Sequence, residues 1–283
     1  MNNKVYVLLF LCLILTVSCG GYKELTVLHT SDTHSCIMPL SPNLADTLQA
    51  GRAGFERRIV MLGEEREKDR KLLLFDTGDF CQGSPYYTLF KGDVEAGLMN
   101  MMHYTAGTLG NHEFDYGLWN LGRVVEKLNY PIVCANYVFP DTSALARLVK
   151  PYVIIKRKGL KIGVFGLCPK LEGLVDKKNY LDTQFLDPIA TAQLMVNELR
   201  RKHCDVIILL SHLGWNAGEQ YSDQDVISHT SGINLVLGGH SHTYLKELGH
   251  VKNLDGQDIP VDHNGKNAIY VGKITVTVAR HPF

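Results

Sequence analysis

The stretch LGNHEFD, Leu109 to Asp115, sets an amide, an imidazole and two carboxylates within positions 111 to 115, directly behind a Leu-Gly that reads as a strand end. Outward from it the same arrangement recurs, with polar side chains of the metal-ligating kind following an apolar run. Leu25-Thr26-Val27-Leu28-His29 precedes Ser31-Asp32-Thr33-His34, and Lys71-Leu72-Leu73-Leu74-Phe75 precedes Asp76-Thr77-Gly78-Asp79. The run from Asp205 to Leu210 precedes Ser211-His212, and that from Ile233 to Leu237 precedes Gly238-Gly239-His240-Ser241-His242. A further run spans Pro131 to Ala135. Near-continuous hydrophobicity predicts strands covered on both faces. Between them, Phe55, Ile59 and Leu62 fall at helical spacing, as do Ala190, Leu194, Val196 and Leu199 behind Asp187-Pro188, a cap and first-turn pair. Alternating strand and helix patterns predict a layered α/β fold, in which ligands bind at the carboxyl ends of strands.

Two antiparallel hairpins are expected as well. Tyr152 to Ile155 and Lys161 to Phe165 flank Arg157-Lys158-Gly159, and Ala268 to Val271 and Ile274 to Val278 flank Gly272-Lys273. Asn253 to Lys266, rich in Asn, Asp and Gly, reads as a disordered or mobile piece.

With 283 residues and 45% hydrophobic content, the chain can bury a sizeable core as one large domain. Lys+Arg and Asp+Glu both number 29, so no global field recruits a nucleic acid polymer, and recognition falls to local sites.

At the N-terminus, Lys4 precedes the apolar run Val5 to Leu15, which reads as an export signal too short for a comfortable membrane span. Val17-Ser18-Cys19-Gly20 resembles a bacterial lipoprotein cleavage box, with Thr16 where Leu is usual. Residues 1–19 are then the signal, Cys19 the lipidated mature N-terminus, 20–24 a tether and 25–283 a single catalytic domain, with a plain cleaved signal or an uncleaved anchor as the alternatives to lipidation. The expected location is the bacterial cell envelope, lipid-anchored and facing the periplasm. The remaining cysteines, Cys36, Cys81, Cys134, Cys168 and Cys204, are odd in number and form no C-x-x-C pair, so they are no disulfide framework. Cys36 and Cys81, two residues beyond His34 and Asp79, read as packed thiols, with a disulfide between them as the alternative.

Asp, His and Asn behind five strand ends are the ligand types of a hard-to-borderline divalent cation. Two carboxylates (Asp32, Asp79), an amide oxygen (Asn111) and four imidazoles (His34, His212, His240, His242) exceed one tetrahedral site and fit two ions sharing a bridging carboxylate.

The motifs D-x-H (32–34), G-D-x-x-Q-G (78–83), G-N-H-E-F-D (110–115), S-H (211–212) and G-H-S-H (239–242), in this order, resemble the calcineurin-like metallophosphoesterases. GDFCQGSPYYTLFKG (78–92) and LGNHEFDYG (109–117) resemble the bacterial 5′-nucleotidase branch, and the similarity runs from about Leu25 to Val278. The resemblance implies a four-layer α/β/β/α sandwich with a two-metal site at the carboxyl edge of its sheets. It implies that Asp32, His34, Asp79 and His242 hold one metal and that Asp79, Asn111, His212 and His240 hold the other, the ions being Zn, Mn, Fe or Co. His112 would then face the substrate phosphate, oriented by Asp115, and Asn136 would contact substrate or else serve its loop. His242 departs from several nucleotidases, which carry Gln or Asn there. Asp76 is read as a support of its loop, and His29, His103, His203, His250 and His263 as structural or surface residues.

Two such ions polarise phosphoryl oxygens and deprotonate a bound water near neutral pH for in-line attack. The implied activity is hydrolysis of nucleoside monophosphates to nucleoside and phosphate. Cyclic-nucleotide or nucleotide-sugar phosphodiester cleavage is the enzymatic alternative. Familiar 5′-nucleotidases carry a C-terminal domain whose aromatic residues sandwich the base. This domain is expected to be absent here, so base recognition would fall to loops or to a separate C-terminal-domain protein, leaving this chain as a catalytic subunit or binding component.

Overall fold

The computed structural model describes residues 21–215 and 221–279. The export signal and Cys19 lie outside the described residues. The first six strands are β1 (Tyr22–Thr30), β2 (Leu73–Asp76), β3 (Ala106–Gly107), β4 (Tyr137–Val138), β5 (Tyr152–Arg157) and β6 (Leu160–Leu167). β7 (Gln184–Phe185), β8 (Val206–Ser211), β9 (Leu235–Gly238), β10 (Gly249–Lys252), β11 (Asp258–His263) and β12 (Gly272–Ala279) complete the set. The helices are α1 (Phe55–Lys68), α2 (Pro85–Phe90), α3 (Asp93–Met102), α4 (Gly117–Lys127), α5 (Leu145–Leu148), α6 (Lys177–Tyr180), α7 (Pro188–Arg201) and α8 (Asp223–Ser228). No helix among the described residues is long and apolar enough to cross a membrane.

One sheet has the order β12-β1-β2-β3 and the other β10-β11-β9-β8-β6-β5, while β4 and β7 form a separate two-stranded ribbon. The period of two along each strand decides the layering, because successive side chains point to opposite faces. Val27, Leu73 and Phe75 of the first sheet meet Ile162, Val164, Ile208 and Leu210 of the second in a core between the sheets. Their neighbours Leu28 and Leu74 turn outward to pack with Phe55, Leu62 and Met99 of α1 and α3. Phe165, Ile207 and Leu209 turn to the other outside, against Ala192, Val196 and Leu199 of α7. The result is the expected α/β/β/α sandwich, its central strands β2, β8 and β9 covered on both faces, whereas the edge strand β12 leaves alternate residues exposed.

The hairpin β5–β6 forms with Tyr152 opposite Phe165. The second expected hairpin does not form. Gly272 and Lys273 begin β12, which crosses to the other sheet and pairs antiparallel with β1 from Tyr22↔Ala279 to His29↔Gly272. Its apolar residues Ile274, Val276 and Val278 alternate over eight residues and complete the core between the sheets, which a four-residue partner at 268–271 would leave half unpaired. Pro131 to Ala135 is extended but belongs to no ladder. Val133 N–H donates to Gly107 O on the first sheet, whereas Ala135 N–H donates to Gly166 O on the second. Crossing between sheets limits each pairing to a residue or so. The segment 253–266, expected to be disordered or mobile, instead contains β11, whose Val261 and His263 pair in parallel with Val236 and Gly238. In α7 the buried face is Thr191, Ala192, Val196 and Leu199, with Leu194 63% exposed, so the apolar stripe is rotated from the expected one.

Candidate metal centre

In the parallel pairs β1–β2–β3 and β6–β8–β9 every strand runs the same way, and the polar segments behind them emerge at a common edge. The backbone there is held in an unusual shape. Asp32, His34, Asp79, His240 and His242 have φ of 46°, 44°, 55°, 73° and 54°. Such left-handed residues each cost about 1–3 kcal/mol and persist where the surroundings over-determine them. Asp and His bear that conformation better than β-branched residues do.

The ligand atoms of Asp32, His34 and His242 lie within 4.8 Å of one another, and so do those of Asp79, His212 and His240. A third group, His34, Asp79 and His112, overlaps both. His34 Nε2 stands 2.8 Å from His242 Nε2, residues 208 apart in sequence. Asp32 accepts the His240 N–H at 3.0 Å, which ties the first ligand loop to the last. His212 Nδ1 lies 2.6 Å from Thr77 O. Donation to that carbonyl puts the Nδ1 proton there and turns Nε2 toward the carboxylates, the side a cation would take in place of a proton. Nε2 is 3.1 Å from Asp79 Oδ2 but makes no hydrogen bond. Asn111 Oδ1 is likewise buried with no hydrogen-bond partner. A buried polar atom left this way costs about 1–3 kcal/mol, a cost that a cation taking its lone pair removes. The donor set therefore fits a divalent metal.

Burial pushes the Asp32 carboxyl up to about 7, opposed by His212 and reinforced by Asp79. Burial also acts to raise Asp79, but the His212, His34 and His112 rings outweigh it and hold that carboxyl well below the usual range. Burial acts to lower His212, and there the Asp79 and Asp32 carboxylates prevail and raise it well above the usual imidazole value. Burial takes His34 down to about 4 and His240 down to about 3, so both rings are neutral at ordinary pH with a lone pair to give.

His112 Nδ1 is 3.1 Å from Asp115 Oδ2, and that contact, against burial, raises the His112 pKa. Asn136, expected to contact substrate or serve its loop, has both ends of its amide taken up by backbone. It is fully buried, its Nδ2 donating to Cys168 O at 2.7 Å and its Oδ1 accepting the Cys168 N–H at 2.9 Å, which serves the loop. Asp76 accepts from Thr30 Oγ1 at 2.6 Å and from Gly78 N–H at 3.1 Å, supporting the turn that carries Asp79. Cys36 and Cys81 are free thiols, not a disulfide.

Glu113 escaped the sequence reading. Its buried carboxylate accepts the N–H groups of Asp79 at 2.9 Å, Cys81 at 3.1 Å and Gly110 at 2.6 Å, joining two ligand loops. The only signal was its place in the motif. Gly110 allows that approach, since a Cβ there would stand 2.1 Å from Asp79 Oδ1. His29 and His263, read as structural, are buried against Asp262 and Asp223, each at 2.8 Å.

The profile of the family described as calcineurin-like phosphoesterase matches residues 25–244. A snake venom 5′-nucleotidase of Crotalus adamanteus is 34% identical over 240 residues, 83% of this chain and 39% of that protein. Among solved structures, the NAD nucleotidase of Haemophilus influenzae is similar with a TM-score of 0.79 at 29% identity, over 91% of this chain and 48% of its own. The 5′-nucleotidase precursor from Thermus thermophilus is similar with a TM-score of 0.80 at 28% identity, over 90% of this chain and 51% of its own. The chain thus spans about half or less of the length of the relatives it matches.

Proposed function

This chain belongs to the calcineurin-like phosphoesterase family, and we propose on that premise that it hydrolyses nucleoside monophosphates to nucleoside and phosphate with two divalent cations. The observation that carries this reading is the pair of ligand groups at one strand edge, with Asp79 between them and the buried Asn111 Oδ1 left for a metal. Asp32, His34, Asp79 and His242 would hold one cation and Asp79, Asn111, His212 and His240 the other. When bound, the cations polarise the phosphoryl oxygens and make water a nucleophile near neutral pH.

The side chains do the rest. Thr77 O keeps the His212 proton on Nδ1, so its Nε2 is free for ligation. Asp115, 3.1 Å from His112 Nδ1, holds that ring with its other nitrogen toward the substrate. A protonated His112 then stabilises charge on the phosphoryl oxygens or gives its proton to the departing alkoxide.

The purified chain is expected to release phosphate from AMP with Mn or Zn and to lose that activity in chelator. No metal-dependent release from AMP would refute the reading. The relatives named above include an NAD nucleotidase, which favours a pyrophosphate ester as a second substrate class, and release of AMP from NAD in the same assay tests it.

We also propose that the chain is exported and anchored through a lipid on Cys19, on the strength of Lys4, the apolar run Val5 to Leu15 and the Val17-to-Gly20 box. Labelled palmitate should enter the protein in a bacterial host and be absent from Cys19→Ser. Equal labelling of the two would sink the anchor.

A further inference from the structure

A cavity of about 420 Å³ lies beside the catalytic turn, a size within the range of small-molecule sites. It is built at the same edge as the ligands. Leu167, the last residue of β6, pairs with Ser211, which directly precedes His212, and the chain then runs through Lys170 into the cavity wall. The β4–β7 ribbon sets Tyr137 opposite Phe185, and both line the cavity. Tyr137 in turn packs edge-on against Phe114 of the His112–Phe114 turn, ring centres 5.8 Å apart. On the far side α6 carries Tyr180 into the wall, and its Asn179 Nδ2 donates to Asp115 O at 2.9 Å. Only that hydrogen bond and the His112–Asp115 contact separate α6 from the catalytic imidazole.

The lining fits one kind of guest. The half-buried rings of Phe185 and Tyr180 offer flat apolar faces. Thr183 Oγ1 is buried without a hydrogen-bond partner, and the Gln184 amide adds a donor and an acceptor. The two lysines are already engaged. Lys170 pairs with Glu172 at 2.7 Å and the Lys177 ammonium sits 4.7 Å above the Tyr180 ring, so no free pair of cations waits for a second phosphate. Flat faces with a polar edge suit a planar heterocycle.

We propose that this cavity receives the nucleobase of the substrate, so that the metal-bearing domain reads the nucleoside itself. The proposal rests on the nucleotidase reading and names the place where its substrate is selected. Phosphate lies at the metal ligands, ribose passes Asp115 and Asn179, and the base stacks on Phe185 with its polar edge at Thr183 and Gln184.

Adenosine, which has no phosphate to lose, tests the site apart from the chemistry. Isothermal titration into the metal-loaded full chain should show saturable binding, weakened about tenfold by Phe185→Ala and restored by Phe185→Tyr. Tyr180→Ala should weaken it too, which guards against a misfolded Phe185 variant, and a melting curve checks both. In turnover, Phe185→Ala should raise KM for AMP with kcat kept and leave ribose 5-phosphate unaffected. Adenosine binding that is absent, or indifferent to both substitutions, overturns the proposal, as does an equal loss on AMP and ribose 5-phosphate. Phe185-dependent adenosine binding without phosphate release from any ester would instead overturn the nucleotidase reading and leave the base site standing.

Discussion

Asp79→Asn is expected to lower kcat/KM for AMP by about 10³-fold or more, the equivalent of several kcal/mol of transition-state charge stabilisation. Asp79 is 2% exposed, stands 3.1 Å from His212 Nε2 and accepts the His112 N–H at 2.9 Å through Oδ1. The amide keeps the shape, and asparagine tolerates the positive φ of 55° that most residues would not. Folding should therefore survive while the negative charge proposed to be shared by the two cations is gone. Circular dichroism should be unchanged, and metal content by mass spectrometry should fall well below that of the parent chain. A variant that keeps its metal and works within tenfold of the parent would show that Asp79 is not the shared ligand.

His112→Ala separates a different contribution. Turnover of AMP should fall by about 10²–10⁴-fold, the usual worth of a positioned acid or base, with metal content unchanged. The Asp115 contact raises the pKa of His112 and keeps the ring protonated to higher pH. The acid form is present below that raised value and lost as the pH rises through it, so the parent should show a basic limb that the variant lacks. p-Nitrophenyl phosphate, whose leaving group needs no proton, should suffer less than AMP. Equal losses on both esters would place His112 on the phosphoryl oxygens alone, and a normal turnover number would remove it from the mechanism. A fall in metal content would make it a ligand, which its place within 4.8 Å of His34 and Asp79 allows.

Much of the site was legible because its chemistry is local. Ser31 to His34, Asp76 to Asp79, Ser211-His212 and His240 to His242 each follow a strand announced by its own apolar run, whereas Asn111 to Asp115 follow the two-residue β3 and are legible from their own side chains. Side-chain identity also limits the chemistry, since Asp, His and Asn in such number point to a hard-to-borderline cation. Glu113 was less legible, because its value lies in three N–H groups on two loops. So was the role of Asn136, whose amide is taken up by Cys168, 32 residues away.

The order of amino acids alone announces most of the strands and the longer helices, the residues able to ligate a metal, and the burial of the central strands on both sides. These follow from composition and a period of two or 3.6, properties of a short window of chain. It took the packed chain to join β12 to β1, to pass Pro131 to Ala135 between the sheets, and to turn Thr191 rather than Leu194 of α7 inward. Packing also brought His34 within 2.8 Å of His242 and set Tyr137 opposite Phe185 to form the cavity. Partner and register depend on which long closure satisfies the most backbone hydrogen bonds and buries the most apolar surface at once, a comparison over the whole chain that no single window contains.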